Sequence, residues 1–125
     1  MPKPQKYDID FEIQFYEKIL KRKPDFIEAL AALGNLYSKK GLYREGLEID
    51  KRLVHLRPED SLAFYNLACS YSLVKDLDKA FGTIKQAIDL GYNNFSYLEQ
   101  DQDLTNLRHD QRFQEYYLGL KKQKV

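Results

Sequence analysis

The chain has 125 residues, enough for one domain with a real core or for a stack of small units, and its 20 lysines and arginines nearly balance 19 aspartates and glutamates. No global field is therefore present to recruit nucleic acid or an anionic membrane. A single cysteine, Cys69, rules out an internal disulfide and any cysteine-based zinc cage.

The opening stretch MPKPQKYDID has no apolar core followed by a cleavage site, so no signal peptide is expected. No segment approaches the ~18 apolar residues of a membrane span. A soluble, cytoplasmic protein is the expectation. From Tyr7 to Phe15 apolar and polar side chains alternate, the pattern of a half-buried strand. The following FYEKILKRKPDF instead looks like a helix ended by Pro24. The short basic clusters at 21–23, 39–40 and 121–124 suit helix C-termini and solvated faces.

An internal repeat resolves the conflict. An offset of 34 residues places Ala29 on Ala63, Leu33 on Leu67, Tyr37 on Tyr71, Ser38 on Ser72, Lys51 on Lys85 and Leu56 on Leu90. Leu30 falls on Phe64, Gly34 on Ala68 and Val54 on Ile88. In each unit a first apolar run steps by three or four residues, breaks at KKG or VKD, and is followed by a second such run. Each unit thus reads as a helix–turn–helix. Asp25, three residues before Glu28, has the spacing of a capping box, and Asp60 and Asp76 are expected N-caps. Gly41 suits a left-handed helix end, and Pro58 stops the helix before it. Small residues recur where paired helices should cross, Gly34 facing Gly46 and Ala68 facing Ala80.

The same register run backwards places Pro24 with Pro58, Leu20 with Val54 and Ile13 with Leu47. The first segment is then a helix from about Asp8 to Arg22, the second helix of a unit whose first is absent. Ile9, Ile13, Tyr16 and Leu20 form one stripe at about 100° per residue, whereas Phe11 and Phe15 point away from it. Glu12 stands at the register position of Gly46 and Ala80, tolerable there because no preceding helix crosses it. Beyond Tyr92 the repeat fails. A separate stripe at Phe113, Tyr116, Tyr117 and Leu120, capped by Asp110, predicts a final helix, and Leu104 and Leu107 share one face of a short run before it.

The pattern Leu30, Leu33, Gly34, Tyr37, Gly41, Tyr43, Gly46, Leu53, Pro58, with Phe64, Leu67, Ala68, Tyr71, Leu77, Ala80, Ile84 and Ala87 in the second unit, resembles the tetratricopeptide repeat (TPR) family. Asp50 departs from it, standing where the family has an aromatic or apolar residue, and Tyr92 replaces the closing proline. The resemblance implies an all-α, right-handed superhelix of about two and a half helix-turn-helix repeats in a single domain. Its parts would be an N-terminal capping helix at 8–23, units at 25–58 and 59–92, and a degenerate third unit or cap at 93–125. The ending LGY…DxDLxxLRxDxRF is similar to the closing segment of many bacterial TPR proteins and would cover the last apolar face.

The resemblance also implies a concave groove lined by the first helices of successive units. Carried over by register, the groove-facing residues are Glu28, Ala31, Ala32, Asn35, Ser38 and Lys39, then Leu62, Tyr65, Asn66, Cys69, Ser72 and Leu73. Asn35 and Asn66 offer paired donors and acceptors to an extended peptide. Binding of a partner protein or peptide without catalysis is the expected function. The alternative is self-association, as a homodimer or assembly subunit, through Phe11 and Phe15.

Other chemistries find little support. His55 and His109 lie at expected exposed helix ends, with no serine or cysteine placed for activation. DQDLTN at 101–106 opens like a calcium loop, but Asn106 and Arg112 stand where glycine and glutamate are needed. No phosphate-binding glycine loop occurs, and the aromatic residues read as core. No catalytic residue, metal, cofactor, nucleic acid, membrane or small-molecule substrate is expected. TPR domains that grip acidic chaperone C-termini use a clamp of cations and asparagines. Here Asn35 and Asn66 match, but Ala31, Ser96 and Gln100 stand in the cationic positions, so tight binding of acidic C-terminal peptides is not expected.

Overall fold

A computed structural model describes residues 8–123, and all their regular structure is helical. Tyr7 of the alternating stretch and Lys124 of the last basic cluster lie outside the described residues.

Helix α1 (Ile9–Arg22) begins at Asp8, whose carboxylate accepts the Phe11 N–H. Ile13 is buried, and Ile9, Tyr16 and Leu20 pack against Leu30, Leu33 and Leu36 of α2 (Ile27–Lys40) and against Ile49 and Leu53 of α3 (Tyr43–Leu56). The strand-like alternation is therefore a helix with two apolar faces, one of them open. Across the α1–α2 seam the Tyr37 hydroxyl donates to Glu17 at 2.6 Å, and Lys40 pairs with Asp10.

Asp25 does not cap α2. Phe26 occupies the N-cap position, so the Asp25 carboxylate falls outside the first turn and faces Arg52 of α3 at 3.6 Å. The other expected caps form. Asp60 opens α4 (Ser61–Leu73), Asp76 opens α5 (Leu77–Asp89), and Asp110 accepts the Arg112 N–H at the start of α8 (Gln111–Gln123).

The small residues sit where paired helices approach. A methyl on Gly34 would lie 3.3 Å from the Asp50 carboxylate and from Ile49, and one on Gly46 would lie 3.7 Å from the Gly34 carbonyl. Ala68 and Ala80 are both fully buried in the second pair.

Each pair turns through a left-handed residue, Gly41 (φ 84°) in the first and, 34 residues later, Lys75 (φ 66°) in the second. A side chain in that region costs roughly 1–2 kcal/mol, part of which glycine returns through its larger unfolded-state entropy. Lys75→Gly should therefore stabilise the protein by about 0.5–1 kcal/mol, read as a higher urea midpoint at unchanged slope.

After α5 the chain folds back through α6 (Phe95–Gln100), a 3-10 turn (Gln102–Leu104) and α7 (Thr105–Arg108). Leu98, Leu104, Leu107 and Phe113 join Tyr65, Ala68, Ile84 and Ala87 in a second core. Polar bonds fix this return. The Leu107 N–H and the Asn106 amide donate to the side chain and carbonyl of Ser72, and Arg108 donates to the Leu98 and Asp101 carbonyls. Tyr116 and Tyr117 of α8 complete the cover, edge-on to Phe81 and Phe95 respectively. No described helix is long and apolar enough to cross a membrane.

Candidate peptide-binding groove

A cavity of about 520 Å³ runs between α2, α4 and the returning C-terminal segment. Ala31, Asn35 and Ser38 of α2 form one wall, and Leu62, Asn66 and Leu73 of α4 another. Asp50 and Leu53 of α3 and Ser70 of α4 supply the floor. The far side is made by Tyr92, Asn94, Tyr97, Asp101 and Asp103, with Tyr65 and Cys69 beneath.

Eight of the twelve groove residues anticipated above line this space: Ala31, Asn35, Ser38, Leu62, Tyr65, Asn66, Cys69 and Leu73. Their roles differ. Asn35 and Asn66 are exposed and free to meet a ligand, whereas Tyr65 and Cys69 are buried. The Tyr65 hydroxyl donates to Asp101 at 2.7 Å, and its ring stacks on Tyr92 at 4.2 Å. Tyr65 is thus core as much as lining. Four expected residues are elsewhere. Ser72 is fully buried, its hydroxyl taken by the Leu107 N–H at 3.1 Å, because the C-terminal segment packs on that side of α4. Lys39 in the last turn of α2 and Glu28 in the first are exposed outside the cavity, and the half-buried Ala32 also lies outside it. Phe11 and Phe15 are 66% and 52% exposed on α1, also away from it.

The electrostatics come from residues that sequence periodicity missed. The lining includes three aspartates and no lysine, arginine or histidine. Asp50 is buried and accepts the Ser70 hydroxyl at 2.5 Å. Burial pushes its carboxyl up to about 6, the Ser70 bond opposing this only in part. Asp101 accepts the Tyr65 hydroxyl and the Asp103 N–H, and the Cys69 thiol lies 3.6 Å from it. Asp103 is raised by burial and then by the charge of Asp101. The phenol of Tyr97 is raised chiefly by that same charge. Burial and the Asp101 charge also push the Cys69 thiol well up, so it stays protonated and is a poor nucleophile. The DQDLTN stretch forms a capped turn, with Asp101 accepting from the backbone two residues on.

No family model matches the chain. Among solved structures, the crystal structure of MamA superposes with a TM-score of 0.67 and 29% identity over 82% of this chain and 57% of its own. The fold is a TPR-like, right-handed α-α superhelix. Two proteins of Arabidopsis thaliana are similar in sequence. One, a chloroplastic protein, is 32% identical over 100 residues, 78% of this chain and 28% of its own length. The other, Protein CTR9 homolog, is 40% identical over 52 residues, 42% of this chain and 5% of its own. The chain thus spans only a small part of these curated relatives and just over half of the MamA chain. The TPR-like pairs explain why the groove exists. Stacked helix pairs turn successive first helices toward a common concave side, and here those helices are α2 and α4.

Proposed function

We propose that the protein is a non-catalytic interaction module that holds a peptide or helix of a partner protein in the groove between α2 and α4. The observation that carries this reading is a formed cavity of about 520 Å³ with Asn35 and Asn66 exposed on facing walls. Such a volume lies within the ~300–1,000 Å³ typical of ligand sites. Each asparagine amide presents a donor and an acceptor, the pair that an extended backbone requires. The buried, protonated Cys69 and the exposed His55 and His109 offer no nucleophile–base pair. Three aspartates and no cation in the lining disfavour acidic C-terminal peptides.

Affinity capture with mass spectrometry, comparing wild type with Asn35→Ala/Asn66→Ala, tests the proposal. A partner retained by wild type and lost by the double variant, at equal helicity, is the expected result. Equal capture by both proteins refutes it. Tyr65→Ala is unsuited to this test, since it breaks the Tyr92 stack and the Asp101 bond and so reads stability.

The exposure of Phe11 and Phe15 on one end helix favours a second role, self-association through α1. Light scattering on concentrated wild type should then show a dimer or larger species that Phe11→Ser/Phe15→Ser reduces to monomer. A monomeric wild type ends that reading and leaves the groove untouched.

A further inference from the structure

We infer that the guest of the groove is a basic peptide segment, and that the carboxylates of Asp50, Asp101 and Asp103, with the ring of Tyr97, take its lysine or arginine side chains. This rests on the groove being the binding site, and it names the chemistry that the site selects. Two unrelated kinds of group favour the same guest. The first is charge. Three carboxylates line one cavity that contains no cationic residue. None of the ion pairs among the described residues involves any of the three. The arginines of the C-terminal segment are engaged otherwise, Arg108 on main-chain carbonyls and Arg112 on Asp78 and Asp110. Carboxylates taken partly out of water without a counter-charge cost free energy that an incoming cation returns.

The second is the aromatic wall. Tyr65 and Tyr92 are stacked, and Tyr97, 54% exposed, tilts against Tyr65 with ring centroids 6.2 Å apart. Ring faces attract ammonium and guanidinium groups and do nothing comparable for anions. A bare metal ion fits poorly, because no group of three or more His, Cys, Asp or Glu among the described residues could hold one. A long cationic side chain can reach separate carboxylates. Attached to a backbone it also engages Asn35 and Asn66, which a free ion leaves idle.

The test uses the full chain and fluorescein-labelled degenerate peptide pools, read by polarisation, with the central residue fixed as lysine, arginine, acetyl-lysine, norleucine or glutamate. Lysine or arginine pools should bind roughly tenfold or more tightly than the acetyl-lysine and norleucine pools, as expected for a charge-assisted hydrogen bond. Glutamate pools should bind weakest, and added salt should erode the preference. Asp103→Asn and Asp50→Asn should each reduce the preference several-fold at unchanged helicity, whereas Asn35→Ala/Asn66→Ala should weaken all pools alike. Norleucine or glutamate pools binding as well as lysine, and losing affinity in the asparagine double variant, overturn the cationic guest while the groove reading stands. Pools that none of these substitutions affects, or no binding at all, overturn both.

Discussion

Leu107→Ala is expected to destabilise the protein by about 3 kcal/mol, within the 2–5 kcal/mol typical of emptying a fully buried leucine site. Leu107 has no exposed surface and lies in the core that Ile84 and Ala87 of α5 share with Leu98, Leu104 and Phe113 of the returning segment. Its backbone N–H is held by Ser72, so the segment stays tethered while the side-chain void opens, and little collapse can recover the loss. The thermal midpoint should fall by roughly 10 °C or more for a domain of this size. Leu118→Ala is the matched control, because Leu118 is 57% exposed on α8 and should change stability by less than about 0.5 kcal/mol. Urea titration separates the outcomes. If the two variants proved alike, the C-terminal segment would contribute nothing to the core.

Asp50→Asn is expected to act in the opposite direction. The folded carboxyl titrates at about 6, above its ordinary value of 3.8, because burial penalises its ionised form. Between those two values the folded chain holds the proton that the unfolded chain has released. Stability therefore falls as pH rises through the window and levels off above it. A shift of about two units corresponds to on the order of 2–3 kcal/mol. Asparagine keeps an oxygen to accept the Ser70 hydroxyl and carries no charge, so the variant should be more stable than wild type at pH 8 by up to that amount. The two should converge near pH 4. Asp103, raised for the same first cause, adds to the wild-type trend. Asp110 and Glu99 oppose it at lower pH. Their folded values are depressed, Asp110 to about 2, by hydrogen bonds to Arg112 and to Tyr117 and Lys121 respectively, and their stabilisation fades as acid protonates them. Wild type should then be most stable near pH 5, whereas Asp50→Asn should lose most of the fall above that pH and keep only the part due to Asp103. Melts across pH for both proteins check this, and a wild-type curve flat between pH 5 and 8 would refute the buried ionised Asp50.

The helices α2 to α5, their small crossing residues and Gly41 follow from a 34-residue period, because each depends on neighbours three or four residues away or on the adjacent helix. The same register assigned α1 correctly against its local alternation. The capping box at Asp25 failed because a one-residue shift of the helix start is invisible to spacing alone. Half of the groove was equally hidden. Asp101 meets Tyr65 across 36 residues, and Leu107 meets Ser72 across 35, in a segment that has left the repeat. Ser72, a groove residue by register, is covered for that reason. Only Asp50 carried a signal, an acid where the repeat pattern is apolar, and that departure marks both the least comfortable charge in the core and the floor of the groove.

The two ends of the stack are finished in different ways. At the C-terminal end α4 and α5 are held by the 3-10 turn, α7 and α8, and α4 also by hydrogen bonds from the Asn106 amide and the Leu107 N–H to Ser72. At the other end α1 packs chiefly on α2, through one stripe, an exposed ion pair and the Tyr37–Glu17 bond, with its second apolar face open to water. In a fold whose stability passes from each helix to the next, that asymmetry gives opening a direction. Among the described helices the α1 end is the more weakly held, and α2, the groove wall it covers, has the less supported side.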